Sequence, residues 1–118
     1  MATITLITTI VGTRHKGPRA IAAVLQLYPG DHVRLVREPD NPHDPNAVCC
    51  HVRGLRVGYL PKEIAPTIAA AMDSRINVAA VVSERADGSS GRLIRGPSLS
   101  ITWEETAPPP VVSSKETV

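Results

Sequence analysis

Apolar and polar positions alternate with a period of two over much of this chain, the pattern of strands buried on one face. Ala2–Val11 sets Ile4, Leu6, Ile7 and Ile10 among Thr3, Thr5 and Thr9, and Gly12 ends the run. His32–Arg37 sets Val33 and Leu35 against Arg34, Val36 and Arg37. Ala47–Arg53 and Arg56–Leu60 lie on either side of Gly54, and Ile76–Ser83 and Ser98–Trp103 (SLSITW) complete the predicted strands. Pro29-Gly30-Asp31 is a strong turn, Arg14–Arg19 reads as a basic loop, and Asp87–Gly91 (DGSSG) as a mobile one.

One segment breaks the period. Lys62–Met72 carries Ile64, Ala65, Ile68, Ala69 and Met72 at helical spacing. Pro61 suits the first helical position, with Glu63 beside the helix's positive end. Pro66 then removes a backbone donor from the interior, which predicts a proline-tolerant or 3₁₀-like first turn. Ala20–Leu27 fits a short helix or a strand. Short strands with one or two helices predict a mainly β fold, a small barrel with helical insertions. A parallel α/β sheet is disfavoured because turns join most of the strands.

The chain has 118 residues, enough for one domain, and no Phe. Tyr28, Tyr59 and Trp103 are its aromatics, so aliphatic side chains must fill the core. The domain is expected over residues 1–103. Glu104–Val118, with Pro108–Pro110 in series, reads as a disordered acidic, Pro-rich tail. Net charge is only +2, but through Trp103 there are 12 Lys and Arg against 8 Asp and Glu. Ten of the 13 basic residues are Arg, whose planar fork suits phosphate, although a GC-rich genome gives the same bias. Cys49 and Cys50 are adjacent on a predicted strand and point to opposite faces, so two buried thiols are expected rather than a disulfide. With no apolar run of ~18 residues and no basic segment before the N-terminal apolar stretch, a cytoplasmic protein without membrane partners is expected.

The segment Val33–Val48, VRLVREPDNPHDPNAV, says most about function. Pro39, Pro42 and Pro45 stiffen the loop, and its Asp and Asn side chains bond neighbouring amides. The result presents Asn41, His43, Asp44 and Asn46 on a rigid frame, where binding residues are expected. Together with Val11-Gly12-Thr13-Arg14-His15 and Val57-Gly58-Tyr59-Leu60-Pro61, this segment resembles the HIRAN domain. HIRAN domains are nucleic-acid-binding modules, found at the N-terminus of DNA-repair remodelling enzymes and as free-standing bacterial proteins. The likeness runs from about Ile4 to Val82 and implies an OB- or SH3-like β-barrel with two helices.

The resemblance also implies a site that captures the 3′ end of single-stranded DNA. At the matching positions, Arg14 and His15 would contact backbone and bases. Asn41, His43 and Asp44 would hold the terminal nucleotide, and Tyr59 and Lys62 would add stacking and a phosphate contact. An ionised carboxylate only accepts hydrogen bonds, so Asp44 would favour a free 3′-hydroxyl over a continuing phosphate. His15, Lys16 and His43 stand where the DNA-end-binding member of the family has tyrosines, which implies weaker stacking. Asp44 is equally suited to capping the amide of Asn46, and Tyr59 to packing at the barrel rim.

Other classes remain open. His43, Asp44, Cys49 and His51 are metal-ligating residue types, but their spacing matches no closed zinc site. No Ser/His/Asp arrangement, Gly-rich phosphate loop or paired-carboxylate pattern is present, so neither catalysis nor a cofactor is expected. The expected function is a non-catalytic module for single-stranded DNA, or RNA, accessory to DNA repair or replication-fork processing. The alternative is a protein-protein adaptor that recruits a helicase or nuclease without binding DNA.

Overall fold

The computed structural model describes residues 2–105, so the expected tail lies outside the described residues from position 106 onward. Eight strands and two helices are present: β1 (Ala2–Thr9), α1 (Pro18–Leu25), β2 (His32–Arg37), β3 (Val48–Val52), β4 (Leu55–Tyr59), α2 (Ala65–Asp73), β5 (Val78–Glu84), β6 (Asp87–Ser89), β7 (Arg92–Arg95) and β8 (Ser98–Glu105). A 3₁₀ turn over Thr13–Lys16 links β1 to α1. The mainly β reading holds. The closing strand runs two residues further than expected, through Glu104 and Glu105, where Ala2 and Thr3 pair with it.

Six strands form one antiparallel sheet in the order β1-β8-β5-β2-β3-β4. Register follows the apolar alternation: Ile4 stands opposite Trp103 and Leu6 opposite Ile101, both on the core side. Val33, Val48, Cys50, Val57, Val82, Leu99 and Ile101 fill the interior. Burying each Val, Leu or Ile side chain contributes about 1.5–3 kcal/mol. Cys49 and Cys50 are both free and buried.

Both helices are set by proline and alanine. In α1, Pro18 stands in the first turn and Ala20 and Val24, four apart, are fully buried. This resolves the helix-or-strand ambiguity of that segment. Helix α2 begins later than the pattern predicts. Pro61–Ile64 makes a separate turn, with the amides of Ile64 and Ala65 both donating to the Pro61 carbonyl at 3.0 Å. Pro66, not Pro61, opens the helix, at a position whose N–H needs no intrahelical partner.

The DGSSG segment is a hairpin, not a mobile loop. β6 and β7 pair across a turn in which Ser90 (φ 53°) and Gly91 (φ 75°) both take left-handed backbone, as a type I′ turn requires. Ser at the first of these positions is an uncommon choice, which hides the hairpin from a reading of turn residues.

The sheet does not close into a continuous ladder. Its two edges, β1 and β4, meet at one bridge formed by Val11 just beyond β1. Val11 and Tyr59 exchange both amide hydrogen bonds, each at 2.9 Å. Gly58 makes the approach possible: a Cβ there would lie 2.5 Å from the Val11 carbonyl oxygen and 2.6 Å from Ile10 Cγ2. Gly58→Ala should therefore destabilise the fold by about 2–4 kcal/mol through overpacking and positive-φ strain. Urea denaturation measures this; a loss below about 1 kcal/mol would show that the seam yields to an added methyl.

Candidate nucleic-acid interface

The loop between β2 and β3 is held by its own side chains. Asn41 Oδ1 accepts from the amides of His43 (2.8 Å) and Asp44 (3.1 Å), and Asp44 Oδ1 accepts from the amide of Asn46 (2.9 Å). The Glu38 amide donates to Ala47 O and the Asn41 amide to Glu38 O, each at 3.0 Å, closing the base of the loop. The loop is stiff because its polar groups bond to one another.

Glu38 ties this loop to β4. Its carboxylate accepts from Asn41 Nδ2 (3.0 Å), Arg56 Nη2 (2.8 Å) and the Tyr59 hydroxyl (2.8 Å). Arg56 Nη2 also donates to the Tyr59 hydroxyl, at 2.6 Å. Partial burial works against the charge on Glu38, but the hydrogen bonds from Tyr59 and Asn41 and the Arg56 guanidinium outweigh it. Its carboxyl therefore lies below the ordinary value. Burial, and then the bond to Glu38, push the Tyr59 phenol up, so it stays protonated and keeps donating.

Beside this network lies a cleft of about 380 Å³ lined by Val11, Lys16, Asn41, His43, Asp44, Ala47, Tyr59, Leu60 and Lys62. Such a volume falls in the range of small-ligand sites. Its floor is apolar (Val11, Ala47, Leu60), and its rim carries two ammonium groups, an imidazole and one carboxylate. Lys16 Nζ lies 4.8 Å from the centroid of the Tyr59 ring, over its face.

Five of the residues expected from sequence thus share one cleft: Asn41, His43, Asp44, Tyr59 and Lys62. Arg14 and His15 do not join them. They line a neighbouring cavity of about 350 Å³ formed with Leu93, Ile94 and Arg95. Arg14 Nη2 donates to the carbonyls of Leu93 (2.9 Å) and Ile94 (3.2 Å), pinning the β6–β7 hairpin. The 3₁₀ turn divides the two spaces, and it directs Lys16 rather than Arg14 into the cleft. The sequence places Lys16 in a basic run and at a position where the family has a tyrosine, but not among the expected site residues. Among the described residues, no group of three His, Cys, Asp or Glu side chains is arranged to hold a metal ion. No described helix is long and apolar enough to cross a membrane.

The antiparallel β-domain, its edges seamed at one bridge, thus carries at that seam a cleft with an apolar floor and a charged rim. The HIRAN domain family profile matches residues 4–103, and the chain belongs to that family. It is 49% identical over 58 residues to helicase-like transcription factor of Oryctolagus cuniculus. The same protein of Mus musculus is 44% identical over 58 residues. Each match covers 44% of this chain and 6% of the relative, so the chain spans a small part of those proteins. The solved HIRAN domain of human HLTF superposes with a TM-score of 0.64 at 28% identity, covering 86% of this chain and 78% of that one. A protein from Lactobacillus plantarum shares the fold, with a TM-score of 0.71 at 24% identity over 86% of this chain and 95% of that one.

Two outcomes follow from this geometry. Asp44→Ala deletes the acceptor for the Asn46 amide and should cost about 1 kcal/mol of stability, whereas Asp44→Asn keeps an acceptor and should cost little. Denaturant midpoints separate the two, and equal losses would show that the cap is not what holds the loop. For Glu38, a folded-state pKa below the unfolded value of about 4.3 gives a contribution present above that pH. The contribution is lost as pH falls through the folded pKa. The stability gap between wild type and Glu38→Gln should therefore narrow from neutral pH to about pH 3. A constant gap in urea titrations would mean that the charge of Glu38 contributes nothing.

Proposed function

We propose that this HIRAN domain is a non-catalytic nucleic-acid-binding module that takes the end of a single strand, a free 3′-hydroxyl, into the Tyr59 cleft. The observation that carries this reading is the meeting of Lys16, Lys62, Tyr59 and Asp44 around one small space. Two ammonium groups neutralise the last phosphates. Tyr59 offers a stacking face that Lys16 now covers, so an incoming base would displace the ammonium towards phosphate. Asp44 Oδ1 is occupied by the Asn46 amide, and its second oxygen, without a protein partner among the described residues, remains to accept a hydroxyl. The stiff loop supports the reading, because little ordering entropy is left to lose on binding.

Similarity to the HIRAN domain of human HLTF, part of a protein named as a helicase-like transcription factor, supports work on DNA beside a helicase-like partner. The role proposed is an accessory one in repair or replication-fork processing. RNA ends would meet the same chemistry.

Asp44→Asn tests the reading without disturbing the loop. It exchanges a charged acceptor for a neutral one, so affinity for oligonucleotides ending in 3′-hydroxyl should fall by about 1–2 kcal/mol. Affinity for matched 3′-phosphate ends should hold or rise, because a like-charge repulsion has gone. Fluorescence anisotropy on the two oligonucleotides reads the difference. Equal change on both would end the case for end recognition.

A further inference from the structure

Beyond the cleft, the outer face of β2–β4 carries a row of basic side chains. Arg34 stands directly opposite His51, and His51 directly opposite Arg56, in one row across three strands. Like charges in such cross-strand positions repel, so the row becomes unfavourable when His51 takes up a proton. The ion pairs of the described residues leave the row mostly uncompensated: Glu38 reaches only Arg56, and the others join Arg37 to Asp73 and Arg95 to Asp87. His32, two residues before Arg34 on the same strand face, is exposed as well.

We infer that the Arg34–His51–Arg56 row is the track along which the phosphodiester backbone leaves the Tyr59 cleft, so that the domain grips a length of single strand and not its end alone. The inference rests on the reading of the cleft given above. Continuity supports it: Arg56 Nη2 lies 2.6 Å from the hydroxyl of Tyr59, which lines the cleft. Two strand spacings carry the row about 10 Å across the sheet. The sheet face of an OB-type barrel is where oligonucleotides run. Asp40, which shares a shallow cavity with Arg56 and Tyr59, opposes a path along the loop and favours the side of Arg56 towards His51.

The other exit crosses the 3₁₀ turn to the β6–β7 hairpin, where Arg92 and the exposed Ile94 stand. It is the poorer route. Val11 alone lines both the cleft and the cavity beside Arg14, whereas Asn41, His43 and Tyr59 line both the cleft and the cavity that Arg56 shares.

His51 gives the track a signature. Partial burial, then Arg56 from β4 and Arg34 from β2, hold its imidazole below the ordinary value, and Glu38 opposes them weakly. In the free protein His51 is therefore mainly neutral near pH 7. A phosphate over the row would favour the imidazolium, so binding takes up a proton and strengthens as pH falls.

The test uses 5′-fluorescein oligothymidylates with 3′-hydroxyl ends, three and twelve nucleotides long, read by anisotropy. For the short one, Lys16 and Lys62 give a log–log salt slope near −1.4, at about 0.7 per phosphate. The long one should be steeper by about 0.7 to 1.4. The double variant Arg34→Ala/His51→Gln should weaken the long oligonucleotide by about threefold to tenfold at low salt and remove its extra slope. It should leave the short one unchanged. Thermal midpoint near pH 7 should hold, because His51 is mainly neutral there, and wild type should gain more affinity than the variant between about pH 7.5 and 5.5. The inference is overturned if both lengths weaken alike, if the long one is unaffected, or if Arg92→Ala instead gives the length-dependent loss. Failure of wild type to bind either length would overturn the cleft reading as well; binding of the short one without these length effects overturns the track alone.

Discussion

The Val11–Tyr59 bridge is the constraint from which the site follows. Two hydrogen bonds join edges that would otherwise lie at opposite ends of a six-stranded sheet. They bring the chain leaving β1 against the end of β4, and so place the 3₁₀ turn with Lys16 beside Tyr59. They also stop the chain from covering the cleft, because Gly12 (φ 79°) turns it away at once. A ladder along the whole edge would have buried this region; one bridge closes the fold and leaves a groove. Only Gly at position 58 lets the two backbones approach this closely.

The second determinant is the Glu38 carboxylate, which binds three donors from the loop and β4. Its role is positional. Asn41 is fixed by Glu38 through Nδ2 and then uses Oδ1 to shape His43 and Asp44, so an anchor at the end of β2 sets the orientation of residues at the cleft rim. Charge-assisted bonds of this kind are stronger than neutral ones and share the load among partners. Tyr59 belongs to both parts: its backbone makes the seam, its hydroxyl binds Glu38, and its ring lines the cleft.

Strands whose apolar residues alternate were legible in the sequence almost to the residue. β2 matches its expectation over His32–Arg37, and β3, β4 and β5 shift at their ends by one or two positions. The failures have specific causes. Two prolines five apart both satisfy the rule for opening a helix, and only the bonds to the Pro61 carbonyl decide that Pro66 does so. Arg92–Arg95 is too short to show a period, and Ser90 is an atypical residue for a left-handed position, so the hairpin stayed hidden. The loop residues of the cleft were legible because turn chemistry and ligand chemistry use the same side chains. That ambiguity shows in Asp44, where the structure finds the cap and leaves one oxygen over. Arg14 and His15 follow Gly12 within three residues, and a 3₁₀ turn of four residues decides which side each one faces; a linear motif does not encode that choice.

The charge distribution shows why a net charge of +2 says so little about this protein. Asp73, Glu38 and Asp87 are each paired with an arginine, so three carboxylates and three guanidinium groups largely cancel within the fold. Asp31 accepts from the amide of Tyr28, and Asp44 from that of Asn46, which spends both on turn geometry. Lys16, Lys62 and Arg34 form no ion pair with a carboxylate among the described residues, and the two lysines stand at the cleft. Exposed ion pairs contribute little to stability. Their effect here is to pair off three carboxylates, so that Lys16 and Lys62 stand at the cleft with Asp44 as its one carboxylate. On the proposed reading, selectivity for an end over a continuous strand would rest on Asp44 more than on a large net charge, since added cations raise affinity for every phosphate alike.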